Sequence, residues 1–516
     1  MLVPLTVRDH LDRAEAVYGD RVGIVDEPDQ PAPSFGDMTY REVARRARAF
    51  SAGLESLGVP QGGRVAVVSQ NSARLLSALY GAPYSGRVAV PVNFRLHADE
   101  VRYIVEHCGA QVLLIDPELE EQLGGVRAQH KFVIGEESDQ VLYRDDLEFS
   151  PWVPDENATA TINYTSGTTA RPKGVEMTHR NLWVNAAMFG WHAGVDDRDV
   201  YLHTLPMFHC NGWGMPYTTA AMGVRQVVLR KVDGAEILRR VRDHGVTLLC
   251  GAPAVVSMVL DAAASWEGPI PGNGSDGRRR VRIIVAGAPP PSRTIERVET
   301  ELGWEFIQIY GLTETAPLLT MNRSRSEWDE LDTAERARKL VRAGAPVLGT
   351  RLDVDDEGEL LAESNTVLKS YWDQPTETTA ALAGGWFHTG DGATIDDEHY
   401  VTIQDRKKDV IISGGENVSS IEVEDVLFGH PHVAEVAVIG IPDDRWGETI
   451  KALVVLDPGS EVTERDLIEH CRSKIAHYKC PTSVEFRDEL ARTATGKLQK
   501  FKLREPYWEG RERQVN

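Results

Sequence analysis

The stretch "RVAVVSQNSARLLSALYGAPYSGRVAVPVN" (residues 64–93) changes period twice within thirty residues. "RVAVVSQ" is a short β-branched run and reads as a strand. "SARLLSALYGAPYSG" carries apolar residues at helical spacing, and "RVAVPVN" returns to the strand pattern. A strand, a helix and a second strand in this order form a crossover unit, which pairs the strands in parallel and covers the sheet with the helix. The pattern continues with "HADEVRYIVEHCG" (97–109) as a helix and "AQVLLID" (110–116) as a strand. A second series runs from 224 to 311. "VRQVVLR", "TLLCGAP", "VRIIVAGAP" and "EFIQIYG" read as strands, and "AEILRRVRDHG", "AVVSMVLDAAA" and "SRTIERVETELG" as the helices between them. Two doubly wound α/β subdomains are therefore expected, with ligands in crevices beyond the strand C-termini.

The character changes from 346 to 404, where "GTRLDVDDEGELLAES" and "HYVTIQDRKKDVIIS" suggest antiparallel strands and a β-rich subdomain. After about 409 the helices "SSIEVEDVLFGHP" and "TERDLIEHCRSKI" alternate with the strands "VAEVAVIGIPD" and "IKALVVLD", a small α+β unit. The expected organisation is a large N-terminal domain over 1–404, a charged hinge at 405–408 and a small mobile C-terminal domain over 409–516.

Bulk properties narrow the function. A chain of 516 residues exceeds one ordinary core, and about three domain-sized units are expected. With 78 acidic residues against 56 basic ones the formal charge is -22. There is no basic stripe, and "GRRR" (277–280) is short and isolated, so nucleic acid is not the expected partner. Five cysteines lie without metal-ligand spacing, which suits a reducing compartment. The N-terminus is charged and amphipathic and lacks a signal peptide's apolar core. The most apolar long stretch, "VTLLCGAPAVVSMVLDAAA", is broken by Pro253 and reads as strand, turn and helix rather than a membrane span. A cytoplasmic protein is expected.

One loop is unusual. "YTSGTTARPKGV" (164–175) packs hydroxyls, glycines, an arginine and a lysine into twelve positions. It does not match the Gly-x-x-x-x-Gly-Lys-Ser/Thr phosphate loop, because Pro172, Lys173 and Gly174 follow Gly167 in the wrong order. Its chemistry still suits polyphosphate: hydroxyls and free amides around the oxygens, little bulk, and one lysine charge. A plain surface turn has the same composition. "AGAPPP" (286–291) and "YGLTET" (310–315) also follow strand-like runs, so the three loops can converge on one crevice.

The loop resembles the signature segment of the adenylate-forming superfamily of acyl-CoA synthetases, luciferases and nonribosomal-peptide adenylation domains. "YGLTET", "GWFHTGD" (385–391), "DRKKDVIISGGENVSSIEVE" (405–424) and "TATGKLQK" (493–500) follow it in the order that family shows, so the resemblance spans nearly the whole chain. It implies activation of a carboxylic acid by ATP, through an acyl-AMP mixed anhydride, and transfer to CoA. A carboxylate is a poor electrophile and must first gain a leaving group; two anions then meet, and cationic help is needed at the developing charge.

By the resemblance, Thr165, Ser166, Gly167, Thr168, Thr169 and Lys173 would surround the phosphates. Glu314, with Thr165, would hold Mg²⁺. Gly287, Ala288, Tyr310, Gly311 and Thr313 would form the adenine site, with Tyr310 stacked on the base. Asp391 and Arg406 would hold the ribose, and Lys497 would bridge the carboxylate and the α-phosphate. Lys408 would be the pivot, and Gly414, Gly415 and Glu416 would face the pantetheine path after a domain rotation, since one site cannot serve both half-reactions without moving. "LPMFHCNGWG" (205–214) resembles the acyl-pocket entry of fatty acyl-CoA ligases, with His209 beside the reacting carboxylate, Trp213 gating an apolar tunnel, and Cys210 as small buried filler.

Bland alternatives stand beside these roles: Lys497 as a solvated lysine, Asp391 as a turn aspartate, Tyr310 as core filler, His209 as a packed histidine, and "SGGEN" as a surface hairpin. Departures from the family pattern occur at Ala170, where glycine is usual, at Ala491, where proline is usual, and in "LLAESNTVLKSYW" (360–372). A medium-chain, fatty or aryl acid fits best. An amino acid as the acceptor, which would make an amide ligase, and a non-catalytic nucleotide or acyl binder are the alternatives. The sequence leaves a homodimer open.

Overall fold

The computed structural model describes residues 1–165, 172–287, 290–406, 411–413, 416–443, 447–492 and 498–509; residues 405, 406, 412, 416, 417 and 447 are described by backbone alone. It is an α/β protein, and the described residues form four sheets. The opening stretch forms the strand Arg64–Val68, the helix Ala73–Tyr84 and the strand Val88–Val92, with the two strands parallel and in direct register from Arg64↔Val88 to Val68↔Val92. Ser72 caps the helix by accepting from the Leu75 amide, and every residue of the helix is buried.

The seven-stranded sheet has the order 370–371, 173–178, 159–165, 88–92, 64–68, 112–115, 130–133. Its centre is parallel, as expected. At one edge the strands Thr159–Thr165 and Lys173–Thr178 form an antiparallel pair, and the unusual loop connects them. The nine-stranded sheet has the order 345–346, 318–323, 305–311, 282–285, 248–251, 200–203, 225–228, 22–25, 37–39. It too is parallel at the centre and antiparallel at both edges. Its far edge is built from the N-terminal strands Val22–Val25 and Asp37–Thr39, whose short, turn-broken sequence gave no strand reading.

The four strands Thr350–Val354, Glu359–Ser364, Phe387–Ile395 and Val401–Arg406 form the antiparallel β-rich sheet. The long run "HYVTIQDRKKDVIIS" is divided: its first part closes this sheet, and Ile411–Ser413 belongs to the C-terminal five-stranded sheet. That last sheet is dominated by the hairpin Val433–Asp443 and Gly447–Leu456, with the helices Ser420–Phe428 and Glu464–Arg472 against it. All five cysteines are buried and unpaired. Among the described residues, no helix is long and apolar enough to cross a membrane.

The C-terminal unit touches the body at a defined point. Asp425, on the helix Ser420–Phe428, accepts from the Ser292 amide at 3.0 Å, at the first residue of the helix Ser292–Arg297. Arg293 Nη1 donates to the His430 carbonyl at 3.2 Å.

Candidate active site

Two neighbouring parallel strands, Arg282–Val285 and Glu305–Gly311, end side by side, and the candidate adenine segments leave from those ends. Gly287 has φ +96°, a conformation that glycine adopts without steric cost. Gly311 is required for a different reason: a Cβ there would lie 1.6 Å from the Pro317 carbonyl oxygen. The backbone turns back sharply through the one-turn segment Thr313–Thr315, which carries Glu314. Ala288 lies outside the described residues.

Tyr310 is half-buried and packs against two apolar clusters. Its hydroxyl donates to Asp391 Oδ2 at 2.7 Å, so the two residues assigned to adenine and ribose from different motifs meet. Asp391 is buried on the β-rich sheet, directly opposite Arg406 in the strand register. The Arg406 side chain lies outside the described residues.

The strand pair flanking the loop is closed by Thr165 opposite Lys173. Ser166, Gly167, Thr168, Thr169 and Ala170 lie outside the described residues, as do Lys408, Gly414, Gly415 and Lys497 and the Glu416 side chain. The Lys497 segment is bounded by a bridge between Arg492 and Leu498, and Gln499 donates to the Ala491 carbonyl at 2.8 Å.

The strand Lys173–Thr178 packs against the Thr313–Thr315 turn, and Tyr371 joins their charged residues. The Tyr371 hydroxyl donates to Glu314 Oε1 at 2.9 Å, while the Lys173 ammonium lies 4.9 Å from the centre of its ring. Burial, with the Glu314 charge beside it, pushes the Tyr371 phenol up. A hard divalent cation takes oxygen ligands. The Glu314 carboxylate and the Thr165 hydroxyl supply that donor type, so the residues present fit Mg²⁺.

The segment after His209 is the most strained backbone among the described residues. Cys210, Asn211, Gly212, Trp213 and Gly214 all have positive φ, from +46° to +74°. Each non-glycine residue in this region costs roughly 1–2 kcal/mol. Buried amides hold it. Asn211 and Asn163 exchange side-chain hydrogen bonds at 3.2 Å, Asn211 also donates to Thr161 at 3.0 Å, and Asn185 donates to the Trp213 carbonyl at 3.2 Å. Gly214 is needed here, because a Cβ would come within 2.4 Å of Asn185 Nδ2. His209 is half-buried at the head of this turn. Trp213 is buried in an apolar cluster with Leu205, Cys210, Met215 and Ile309. Burial and the Glu314 charge push the Cys210 thiol up, which keeps it protonated filler.

The sequence reading missed Asn163, Asn185, Asn211 and Tyr371. The available signal was an amide inside an apolar run, in "TINYT" and in "FHCNGW", because buried amides must find partners. Tyr371 had no local signal, since its partners are distant in the chain.

Adjacent strand ends carrying the candidate adenine segments, a hairpin closed by Thr165 opposite Lys173 and a separate C-terminal sheet make up the frame of the site. The chain belongs to the AMP-binding enzyme family: that family's model matches residues 11–372, and the model of the AMP-binding enzyme C-terminal domain matches 422–497. Acyl-activating enzymes and CoA ligases are among the relatives it matches. The chain is 37% identical to a probable peroxisomal acyl-activating enzyme 5 of Arabidopsis thaliana, over 97% of this chain and 96% of that one. It is 36% identical to a 2-methylpropanoate–CoA ligase of Humulus lupulus, over 97% and 95%. The solved structure of an anthranilate CoA ligase in complex with anthranoyl-AMP superposes with a TM-score of 0.85 at 27% identity, covering 98% of both chains.

Proposed function

We propose that this protein joins a compact apolar carboxylic acid to CoA at the expense of ATP, through an acyl-AMP intermediate. The observation that carries the reading is the 2.7 Å contact between Tyr310 and Asp391, which unites the adenine and ribose segments at the ends of the Arg282–Val285 and Glu305–Gly311 strands. In this reading a carboxylate oxygen attacks the α-phosphorus, the bond to the β-phosphate oxygen breaks, and pyrophosphate leaves. The CoA thiolate then attacks the acyl carbon and AMP departs.

Lys173 and the loop hydroxyls from Thr165 to Thr169 hold the β- and γ-phosphates, and Lys497 neutralises charge between carboxylate and α-phosphate. Glu314 and Thr165 would hold Mg²⁺, whose charge would add to the neutralisation of the phosphates. His209 orients the acid at the mouth of the apolar cluster. Lys408 serves as the pivot between the domains 1–404 and 409–516, and rotation about it would bring Gly414, Gly415 and Glu416 to the thiol path. A small apolar acid is supported by buried Trp213, which fills space in the wall, and by the 2-methylpropanoate and anthranilate named for two similar proteins.

Purified protein with ATP, Mg²⁺, CoA and acids from three to sixteen carbons, branched and aryl acids included, should release AMP and form thioester most rapidly with compact apolar acids. Lys497→Ala should lower acyl-adenylate formation at least 100-fold, the order seen when one charge-stabilising group is lost. Thioester formation only with long chains would reject the substrate class. AMP release that requires an amino acid instead of CoA would reject the acceptor.

A further inference from the structure

Tyr371 lies on a two-residue strand, Ser370–Tyr371, at the edge of the seven-stranded sheet, in register with Val175. The segment around it is fixed by backbone bonds on both sides. The Lys369 amide donates to the Glu176 carbonyl at 3.0 Å, and the Trp372 amide to the Gly174 carbonyl at 2.7 Å. The same segment also holds the backbone of Glu314, because the Leu368 amide donates to its carbonyl at 2.7 Å.

A phenol has two electrostatic ends: its ring face is negative and its O–H is a positive donor. Here the face meets the Lys173 ammonium and the hydroxyl meets the Glu314 carboxylate. One side chain thereby sets the spacing and direction of a cation on a strand of the seven-stranded sheet and an anion on the Thr313–Thr315 turn. We propose that Tyr371 is a positioning residue, which orients the Glu314 carboxylate toward a divalent cation and the Lys173 ammonium toward the terminal phosphates of the nucleotide. This rests on the nucleotide reading of the site given above.

The two ends separate experimentally. Tyr371→Phe removes the hydroxyl and keeps the ring under Lys173, whereas Tyr371→Leu removes both. Mn²⁺ binding, read by electron paramagnetic resonance with α,β-methylene-ATP present, should weaken about 3- to 10-fold in Tyr371→Phe. At saturating Mg²⁺ the ATP KM of that variant should stay within about twofold of the parent. Tyr371→Leu should in addition raise the ATP KM about fivefold, through loss of the cation–ring contact. An unchanged Mn²⁺ midpoint in folded Tyr371→Phe overturns the proposal, while AMP release by the parent chain keeps the functional reading intact. If the parent binds nucleotide but activates no acid, the functional reading fails and the Mn²⁺ titration still decides the role of Tyr371. Should Tyr371→Leu not fold, Tyr371→Phe decides alone.

Discussion

The hydroxyl of Tyr310, at the end of a strand in the nine-stranded sheet, donates to Oδ2 of Asp391 on the β-rich sheet. The bond ties together two sheets whose sequences share no pattern. It also sets an aromatic ring beside a buried carboxylate, the pair on which the proposed nucleotide site rests.

Breaking this bond should affect nucleotide binding before chemistry. Hydrogen bonds to charged groups contribute about 1.5–3 kcal/mol. Tyr310→Phe keeps the ring and removes a bond that orients Asp391 without touching the nucleotide, so only part of that energy reaches binding: the ATP KM should rise about 3- to 10-fold, with kcat within about twofold. Asp391→Ala should raise the KM further, by about 100-fold. Steady-state kinetics with varied ATP checks both; a kcat loss in Tyr310→Phe without a KM change would contradict the assignment.

Asn211→Ala removes the partner of buried Asn163 and replaces an amide that tolerates positive φ. A loss of about 2–3 kcal/mol is expected from the unsatisfied group and the added strain. Chemical denaturation reads the stability. The acid KM should rise at least fivefold while the ATP KM stays within about twofold, because the turn carries His209 and not the nucleotide segments.

Three buried histidines set an acid limit on stability. Burial depresses His10 to about 3, with His179 contributing, and depresses His179 and His203 to about 4. In the unfolded chain each titrates near 6.5, so between about 6.5 and 4 the unfolded state binds more protons than the folded one. Stability is therefore retained above 6.5 and lost as the pH falls through this window, by roughly 1.4 kcal/mol per pH unit per histidine. The melting temperature should drop steeply from pH 6.5 to 4.5. His203→Gln should flatten that slope; an unaltered slope would remove His203 from the account.

Docking of the C-terminal sheet should be proton-linked. Burial pushes the Asp425 carboxyl up, partly offset by the bonds from Ser292. Undocking exposes the carboxylate and returns it to the ordinary range, so docking binds a proton more tightly and strengthens as the pH falls toward the raised value. Asp425→Asn keeps an acceptor for the Ser292 amide and should dock equally well at all pH values. Fluorescence transfer between labels on the two units measures this. A docked fraction that does not change with pH in the parent chain would refute the linkage.

How much of this was legible in the sequence follows from where each signal is stored. The crossover units were readable because period and β-branched content are local: "RVAVVSQ" and "RVAVPVN" became parallel neighbours in direct register. "YGLTET" and "GWFHTGD" were readable as motifs, yet nothing local states that Tyr310 and Asp391 touch. The edge strands Val22–Val25 and Asp37–Thr39 were missed because four and three residues carry too little periodicity. Asn163 and Asn211 looked like ordinary polar residues until folding paired them across 48 positions. Tyr371 fell in a segment that departs from the family pattern, and its two partners are supplied by a distant strand and a distant turn.

The run of five left-handed residues from Cys210 to Gly214 constrains how this lineage can change. Each position depends on its neighbours' unusual conformation and on amides anchored elsewhere, so single replacements there carry a cost before any benefit. Under the proposed function, a changed acid preference should accordingly emerge through drift at other members of the same apolar cluster, such as Leu205 and Ile309, where ordinary backbone accepts exchange of one aliphatic group for another.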